Sequence, residues 1–246
     1  VLGPTRDPED PWAAVPGRGA GPLLGSLEDL PVEPFDGVVF ANELLDNIAF
    51  RLVERQAGGW HEVRVTRVGA ELMELTVPID ESSAQRLDLL VPDALPGARV
   101  PLQSGASDWL RRALSICRTG SVVAIDYTSD TTEVARRPQW DWLRTYRHHE
   151  RGAGPLVAPG AQDITCEVAV DQLATVRPPT RRSTQADWLV RHGIGELVEE
   201  GRRIWNESAA RPGLAAMRAR SRVNEAAALV DPRGLGGFEV IEWDLP

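Results

Sequence analysis

Gly37-Val-Val-Phe-Ala-Asn42 is a short β-rich run that ends in polar residues, and Glu43-Leu-Leu-Asp46 directly behind it opens a helical turn. An apolar strand followed by a carboxylate-bearing turn is what the carboxyl end of a buried parallel strand produces. Ser121-Val-Val-Ala-Ile-Asp-Tyr127 repeats the pattern. Further strands are expected at 50–55, 60–66 and 71–77. The last two are joined as a hairpin at Val68-Gly69-Ala70, and Trp60, Glu62, Arg64 and Thr66 alternate with His61, Val63 and Val65 as in a half-exposed inserted ribbon. Residues 80–103 read as a loop with a short helix. Ser107 to Cys117 reads as a helix with Trp109, Leu110, Ala113, Leu114 and Cys117 on one face, ended by Gly120. A polar loop over 128–162 leads to a third apolar strand at Ile164 to Val170, then to helices near 184–208 and 213–229, and residues 237–243 close the chain as an edge strand. Strands alternating with helices specify an α/β sheet, whose ligands sit outside the carboxyl ends of the strands. That rule places Asn42, Glu43, Asp46, Asp126 and Tyr127 on one rim.

The other elements are quieter. The 246 residues carry 36 acidic and 27 basic groups, a formal charge of −9 that repels a phosphate backbone, so nucleic acid is not an expected partner. All 27 basic residues are arginine, which excludes Schiff-base chemistry, a P-loop lysine and a lysine base, and suggests GC-rich bacterial coding. Cys117 and Cys166 stand far apart with no CxxC, against a zinc ribbon or a disulfide framework. No run approaches the roughly 18 apolar residues of a membrane span, and Val1 to Asp10 lacks the order of a signal peptide, so a cytoplasmic location is expected. Residues 1–36, rich in Pro, Gly and Asp, read as an irregular lead-in to an α/β domain over 37–246.

The motifs come in a distinctive order: Ala41-Asn42-Glu43-Leu44-Leu45-Asp46-Asn47, Gly59-Trp60-His61-Glu62-Val63, Ala124-Ile125-Asp126-Tyr127, Leu143-Arg144-Thr145-Tyr146, Pro159-Gly160, Asp163-Ile164-Thr165 and Thr184-Gln185. This order resembles the MidA-type S-adenosylmethionine-dependent methyltransferases, a group similar to the mitochondrial complex I arginine methyltransferase. The resemblance runs from about residue 37 to 243. It implies a class I, Rossmann-type methyltransferase fold with a mostly parallel sheet whose last strand is antiparallel, S-adenosylmethionine as cofactor, and a protein arginine as methyl acceptor. It implies that Asn42 and Glu43 meet the cofactor, that Glu43 and Asp46 are catalytic, and that Asp126 and Tyr127 contact the substrate. The family's glycine-rich cofactor loop and the strand before it are not recognisable. Gly17-Arg-Gly19-Ala-Gly21 has the glycine spacing, but no buried strand precedes it and Pro22 disfavours a helix start. The expectation is therefore that the first part of the sheet is missing from this sequence, through a late start or a genuine loss. A sheet lacking that part would expose a strand edge and favour a homodimer.

Each site residue also has a plainer reading. Glu43 and Asp46, spaced i to i+3, share a face if a helix starts at Asn42 and can clamp a guanidinium through bidentate bonds. Alternatively Asn42 caps the helix and the acids favour its dipole, at about 0.3–1 kcal/mol each; strand-end position and motif favour function. Asp126 ending a strand is equally ordinary turn chemistry. Asp163 is expected to serve structure, bonding backbone amides or Arg144. His148 and His149 are adjacent and diverge, with no third ligand at zincin spacing, so no metal site is expected. Trp109, Trp188 and Trp205 read as core. No GxSxG elbow and no GxGxxG between strand and helix is present, which argues against a serine hydrolase and a dinucleotide dehydrogenase. The competing class is a methyltransferase-like binding module without catalysis.

Overall fold

The computed structural model describes residues 25–246 apart from 149, 209 and 212. The Gly17–Gly21 loop and most of the lead-in lie outside the described residues, and 25–34 hold no helix or strand. In chain order the strands are β1 (Phe35–Asn42), β2 (Arg51–Gln56), β3 (Gly59–Val68), β4 (Glu71–Pro78), β5 (Arg99–Leu102), β6 (Cys117–Asp126), β7 (Thr128–Ser129), β8 (Leu143–Arg147), β9 (Glu150–Arg151), β10 (Asp163–Cys166), β11 (Val168–Ala169), β12 (Arg181–Thr184) and β13 (Glu239–Leu245). The helices are α1 (Glu81–Leu90), α2 (Ser104–Ile116), α3 (Thr131–Ala135), α4 (Gln139–Trp142), α5 (Val170–Ala174), α6 (Gln185–Arg191), α7 (Ile194–Ser208) and α8 (Leu214–Leu229).

The main sheet runs β1-β6-β13-β12. β1 and β6 are parallel, with Val39 opposite Val122 and Asn42 opposite Ile125, so both apolar runs end on one rim. The expected mostly parallel sheet is corrected to a mixed one: β13 is antiparallel to β6 and β12 antiparallel to β13. β13 is also not an edge strand. The polar run Arg181-Arg-Ser-Thr184, which carries no apolar alternation, pairs outside it, with Arg182 bonded to Glu239, and leaves Val240, Ile241 and Trp243 fully buried.

Two further expectations are overturned for reasons of packing. Gly120 does not end α2; the helix stops at Ile116 and passes straight into β6. Gly120 lies in that strand at φ 114° opposite Gly37, where an added Cβ would stand 2.0 Å from the Gly37 carbonyl oxygen. Only glycine allows the two backbones this approach. Ile164 to Val170 is not a third strand of the parallel sheet. Its first half is β10, antiparallel to β8 in a separate ribbon. Its second half is the two-residue β11 beside β7, followed at once by α5. The polar stretch 128–162 holds β7, α3, α4, β8 and β9.

On one face of the sheet, α2 presents Ala106, Leu110 and Ala113 at helical spacing to Val39, Ala41, Val122, Ala124, Ile241 and Trp243. Each fully buried large aliphatic there contributes about 1.5–3 kcal/mol. On the other face Val123, Ile125 and Val240 lie under Trp188 and Phe238. Of the three tryptophans expected in the core, Trp109 and Trp188 are partly buried against these two clusters and Trp205 belongs to neither, whereas the fully buried tryptophans are Trp142 and Trp243. Val38 and Phe40 share the Val123 face but remain 57% and 53% exposed, because β1 is the outer strand among the described residues.

The inserted ribbon is larger than expected. β5, within the stretch read as loop, joins it to give a four-stranded antiparallel sheet, β4-β3-β2-β5. It packs Val53, Trp60 and Val100 against Leu87, Val134 and Trp142. Buried amides fasten it to the body. The Gln103 backbone N–H donates to Gln172 Oε1 at 2.9 Å, and Gln172 Nε2 donates to the Pro101 carbonyl at 2.8 Å. Ala169 N–H donates to Gln103 Oε1 at 2.7 Å. Satisfied in this way, buried amides fix one arrangement; losing a single partner leaves a donor or acceptor stranded at a cost of about 1–3 kcal/mol.

Candidate active site

Where β1 ends, the Glu43 N–H still donates to the Ile125 carbonyl at 2.9 Å, continuing the parallel ladder for one residue. The chain then turns through a left-handed Glu43, φ 47°, into a single 3-10 turn over Leu45–Asn47. A non-glycine residue held there costs on the order of 1–3 kcal/mol and persists only where its surroundings impose it. Asp126 imposes it. Its Oδ2 accepts the N–H groups of Leu45 (3.0 Å) and Asp46 (3.3 Å), and its Oδ1 accepts that of Tyr127 (3.0 Å). The expected helix starting at Asn42 is therefore absent, and so is the Asn42 cap: the turn is capped from across the sheet by a carboxylate 81 residues away in sequence. The Asn47 amide braces the turn, donating to Asp46 Oδ1 at 2.7 Å and to the Glu43 carbonyl at 3.2 Å.

Glu43, Asp46, Asn47 and Tyr127 form one wall of a cavity of about 520 Å³. Tyr146, His148, Asp163 and Thr165 form the other. Tyr146 stands opposite Asp163, and Thr165 opposite Arg144, so alternate residues of β8 and β10 share the face turned to the cavity. His148, at the turn after β8, has φ 52°. The Tyr127 ring lies 4.2 Å from that of Phe238, tilted 50° to it, with the Arg144 guanidinium 5.6 Å from its centroid.

Three carboxylates and two phenols line this space, and no Arg does. Burial, and then the charge of Glu43, push the Asp46 carboxyl above its usual range. Burial, and then Asp46, push Asp126 up to about 7. Burial, and then Glu43, likewise raise Tyr127. Groups disposed in this way hold a cation or accept a proton near neutral pH.

Of the residues expected at the site, Glu43, Asp46 and Tyr127 come together in the cavity. Asn42 is exposed at the end of β1, outside this lining, and Asp126 lies buried beneath it. Arg144 bonds Glu167 and the Asp141 carbonyl instead of Asp163, and Asp163 faces the cavity. Asn47, Tyr146 and His148 were not expected to line a site. Asn47 and Tyr146 stood in the ordered motifs, but the alternation in Leu143–Arg147 is too short to show which face is inward, and His148 lies beyond it. Among the described residues no three His, Cys, Asp or Glu side chains are grouped to hold a metal ion, and no helix is long and apolar enough to cross a membrane.

Residues 24–184 match the sequence profile of a family described as "Putative S-adenosyl-L-methionine-dependent methyltransferase". Two solved structures from Burkholderia thailandensis, one of them bound to S-adenosyl-homocysteine, are 28% identical to the chain with TM-scores of 0.71 and 0.72. Both cover 89% of this chain, which in turn covers 55% and 57% of theirs, so it spans little more than half their length. No curated protein matches.

Proposed function

Because the chain belongs to that methyltransferase family, whose profile spans residues 24–184, we propose that it takes part in methyl transfer from S-adenosylmethionine to a cationic nitrogen, most simply a protein arginine. The observation that carries the reading is the strained Glu43, held at a strand end beside Asp46 and Tyr127 in a cavity lined by acids. Carboxylates and an amide suit the cofactor, whose methyl group sits on a positive sulfonium and whose ribose and amino groups need acceptors. Asn42 and Glu43, at the exposed end of β1, are the residues that would meet it. Bound there, it supplies an electrophilic methyl group.

The chain's own residues do the rest. Glu43 and Asp163, which line the same cavity, would hold the guanidinium, and Tyr127 and Tyr146, lining it with them, would exclude water from its faces. The nitrogen–methyl bond would form as the cofactor's sulfur–methyl bond breaks, leaving S-adenosylhomocysteine, and Glu43 would receive the proton that the nitrogen sheds. Asp126 keeps Glu43 and Asp46 in place. Replacing Glu43 with Gln is expected to lower tritiated-methyl incorporation into protein at least a hundredfold, with methylarginine the product lost from hydrolysates. Undiminished incorporation, or label on another residue type, rejects the assignment.

A second reading, a binding module acting through partners, is favoured by one feature: the outer edge of β1 is unpaired among the described residues, and Val38 and Phe40 beside it are half exposed. Calorimetric titration of S-adenosylmethionine into the 246-residue chain separates the two. Saturable micromolar binding, about −8 kcal/mol, supports the enzyme.

A further inference from the structure

The β8–β10 ribbon is a partition one strand thick. Its Tyr146 and Asp163 face the acidic cavity, while Leu143 and Thr145, alternating with them, face a second cavity of about 550 Å³ on the far side. This space reverses the chemistry of the first. Arg99, Arg137 and Arg151 line it together with Trp140, and no Asp or Glu does. The counter-charges lie behind the lining. Arg99 is held by Glu54 and Glu74, each at 2.7 Å. Arg137 shares the single carboxylate of Glu167 with Arg144, at 2.5 and 3.2 Å. Arg151 has no carboxylate within ion-pair distance among the described residues and donates to the Trp140 carbonyl at 2.5 Å. Three guanidiniums therefore line a space that no carboxylate lines, in a chain of net charge −9. Trp140, 70% exposed, offers a ring face at the mouth.

We infer that this cavity binds a small aromatic anion, a phosphate or carboxylate carried on a planar ring, with the ring on Trp140 and the anionic group on Arg151 and Arg137. A volume of this size, an apolar side at Leu143 and a few convergent donors are what such ligands require. The inference does not depend on methyl transfer.

The test is calorimetric titration of phenyl phosphate, benzoate and, as a neutral control, phenol into the intact chain. The Trp140 indole signal, identified by its loss in Trp140→Phe, is followed in parallel by NMR. At least one anion is expected to saturate and shift that signal while phenol does not; the tighter of the two tells a phosphate site from a carboxylate site. Arg151→Ala is expected to weaken binding at least tenfold and Arg151→Lys less. Arg151 is exposed, so its replacement leaves the fold intact, which thermal melting checks. Glu43→Gln, which removes the proposed methyl transfer, leaves this binding unchanged. Absence of saturation by both anions, equal binding of phenol, an unmoved Trp140 signal, or full affinity in Arg151→Ala overturns the inference.

Discussion

The wall made by the ends of β1 and β6 and the wall made by the β8–β10 ribbon enclose the same cavity, but a buried carboxylate secures each by a different means. Asp126, 1% exposed, accepts three backbone N–H groups and has another acid, Asp46, as its charged neighbour. Glu167, 9% exposed, lies between the guanidiniums of Arg137 and Arg144 and so pins the chain that carries β8 and β10. Fixed N–H dipoles hold the first wall, while burial and the Asp46 charge work against ionisation there. Opposite charges hold the second. The first therefore responds to pH and the second to loss of a partner.

The largest expected effect sharpens this contrast through pH. Asp126 has an ordinary value of 3.8 and a folded value of about 7, so the native state binds more protons than the unfolded chain between them. Its stabilising contribution is complete below about pH 4 and is lost as pH rises through 7. At about 1.36 kcal/mol per unit, the loss amounts to as much as about 4 kcal/mol, shared with Asp46. Urea unfolding at pH 5 and pH 8 is expected to show the wild type losing stability across that interval and Asp126→Asn losing far less. Parallel curves would break the comparison at its first wall. Next in size is Glu167→Gln. It leaves Arg137 and Arg144 without their shared carboxylate, but both are about one-third exposed or less, so the expected cost is about 2 kcal/mol and not the 3–5 of a fully buried pair. Faster hydrogen exchange is expected across β8 and β10 while β1 and β6 stay protected; uniform loosening would show that the walls are not separate.

The first wall was legible in the sequence and the second was not, for a physical reason. Gly37 to Asp46 and Ser121 to Tyr127 each pair an apolar run with an acid; β6 is buried on both faces and must be written that way, and β1 carries the same pattern although Val38 and Phe40 are half exposed. Glu43, Asp46 and Tyr127 could be placed on one rim from that alone. What the runs did not reveal is that the turn is 3-10 and capped by Asp126, because a cap from 81 residues away leaves no local spacing to read. Tyr146 and Asp163 sit on strands of four or five residues with both faces turned to cavities, one acidic and one basic, so no hydrophobic period marks an inside, and His148 sits in the turn after β8. The same holds for β12, whose four polar residues form a strand only because β13 offers them an edge. Gly120 misled for the opposite reason: glycine after a helical pattern is an ordinary stop, and the demand for it here comes from Gly37, in another strand.

The smallest expected effect isolates the strain itself. At φ 47° Glu43 occupies a region that glycine enters freely, so Glu43→Gly relieves a cost of about 1 kcal/mol or more. Glycine also adds freedom to the unfolded chain, which returns about 0.4–1 kcal/mol. The substitution further removes the like charge beside Asp46, which favours the folded state. The net expectation is a gain of about 0.5 kcal/mol, read as a slightly higher urea midpoint with an unchanged slope. Glu43→Ala keeps the strained φ and removes the same carboxylate, so it should gain less than Glu43→Gly; the difference between the two is the backbone term free of charge effects. If both lose methyl transfer while only the glycine variant gains stability, the left-handed turn exists to present the carboxylate. Equal stabilities would mean that the strain is no larger than the roughly 0.4–1 kcal/mol that glycine adds to the freedom of the unfolded chain, too little to set the two walls apart.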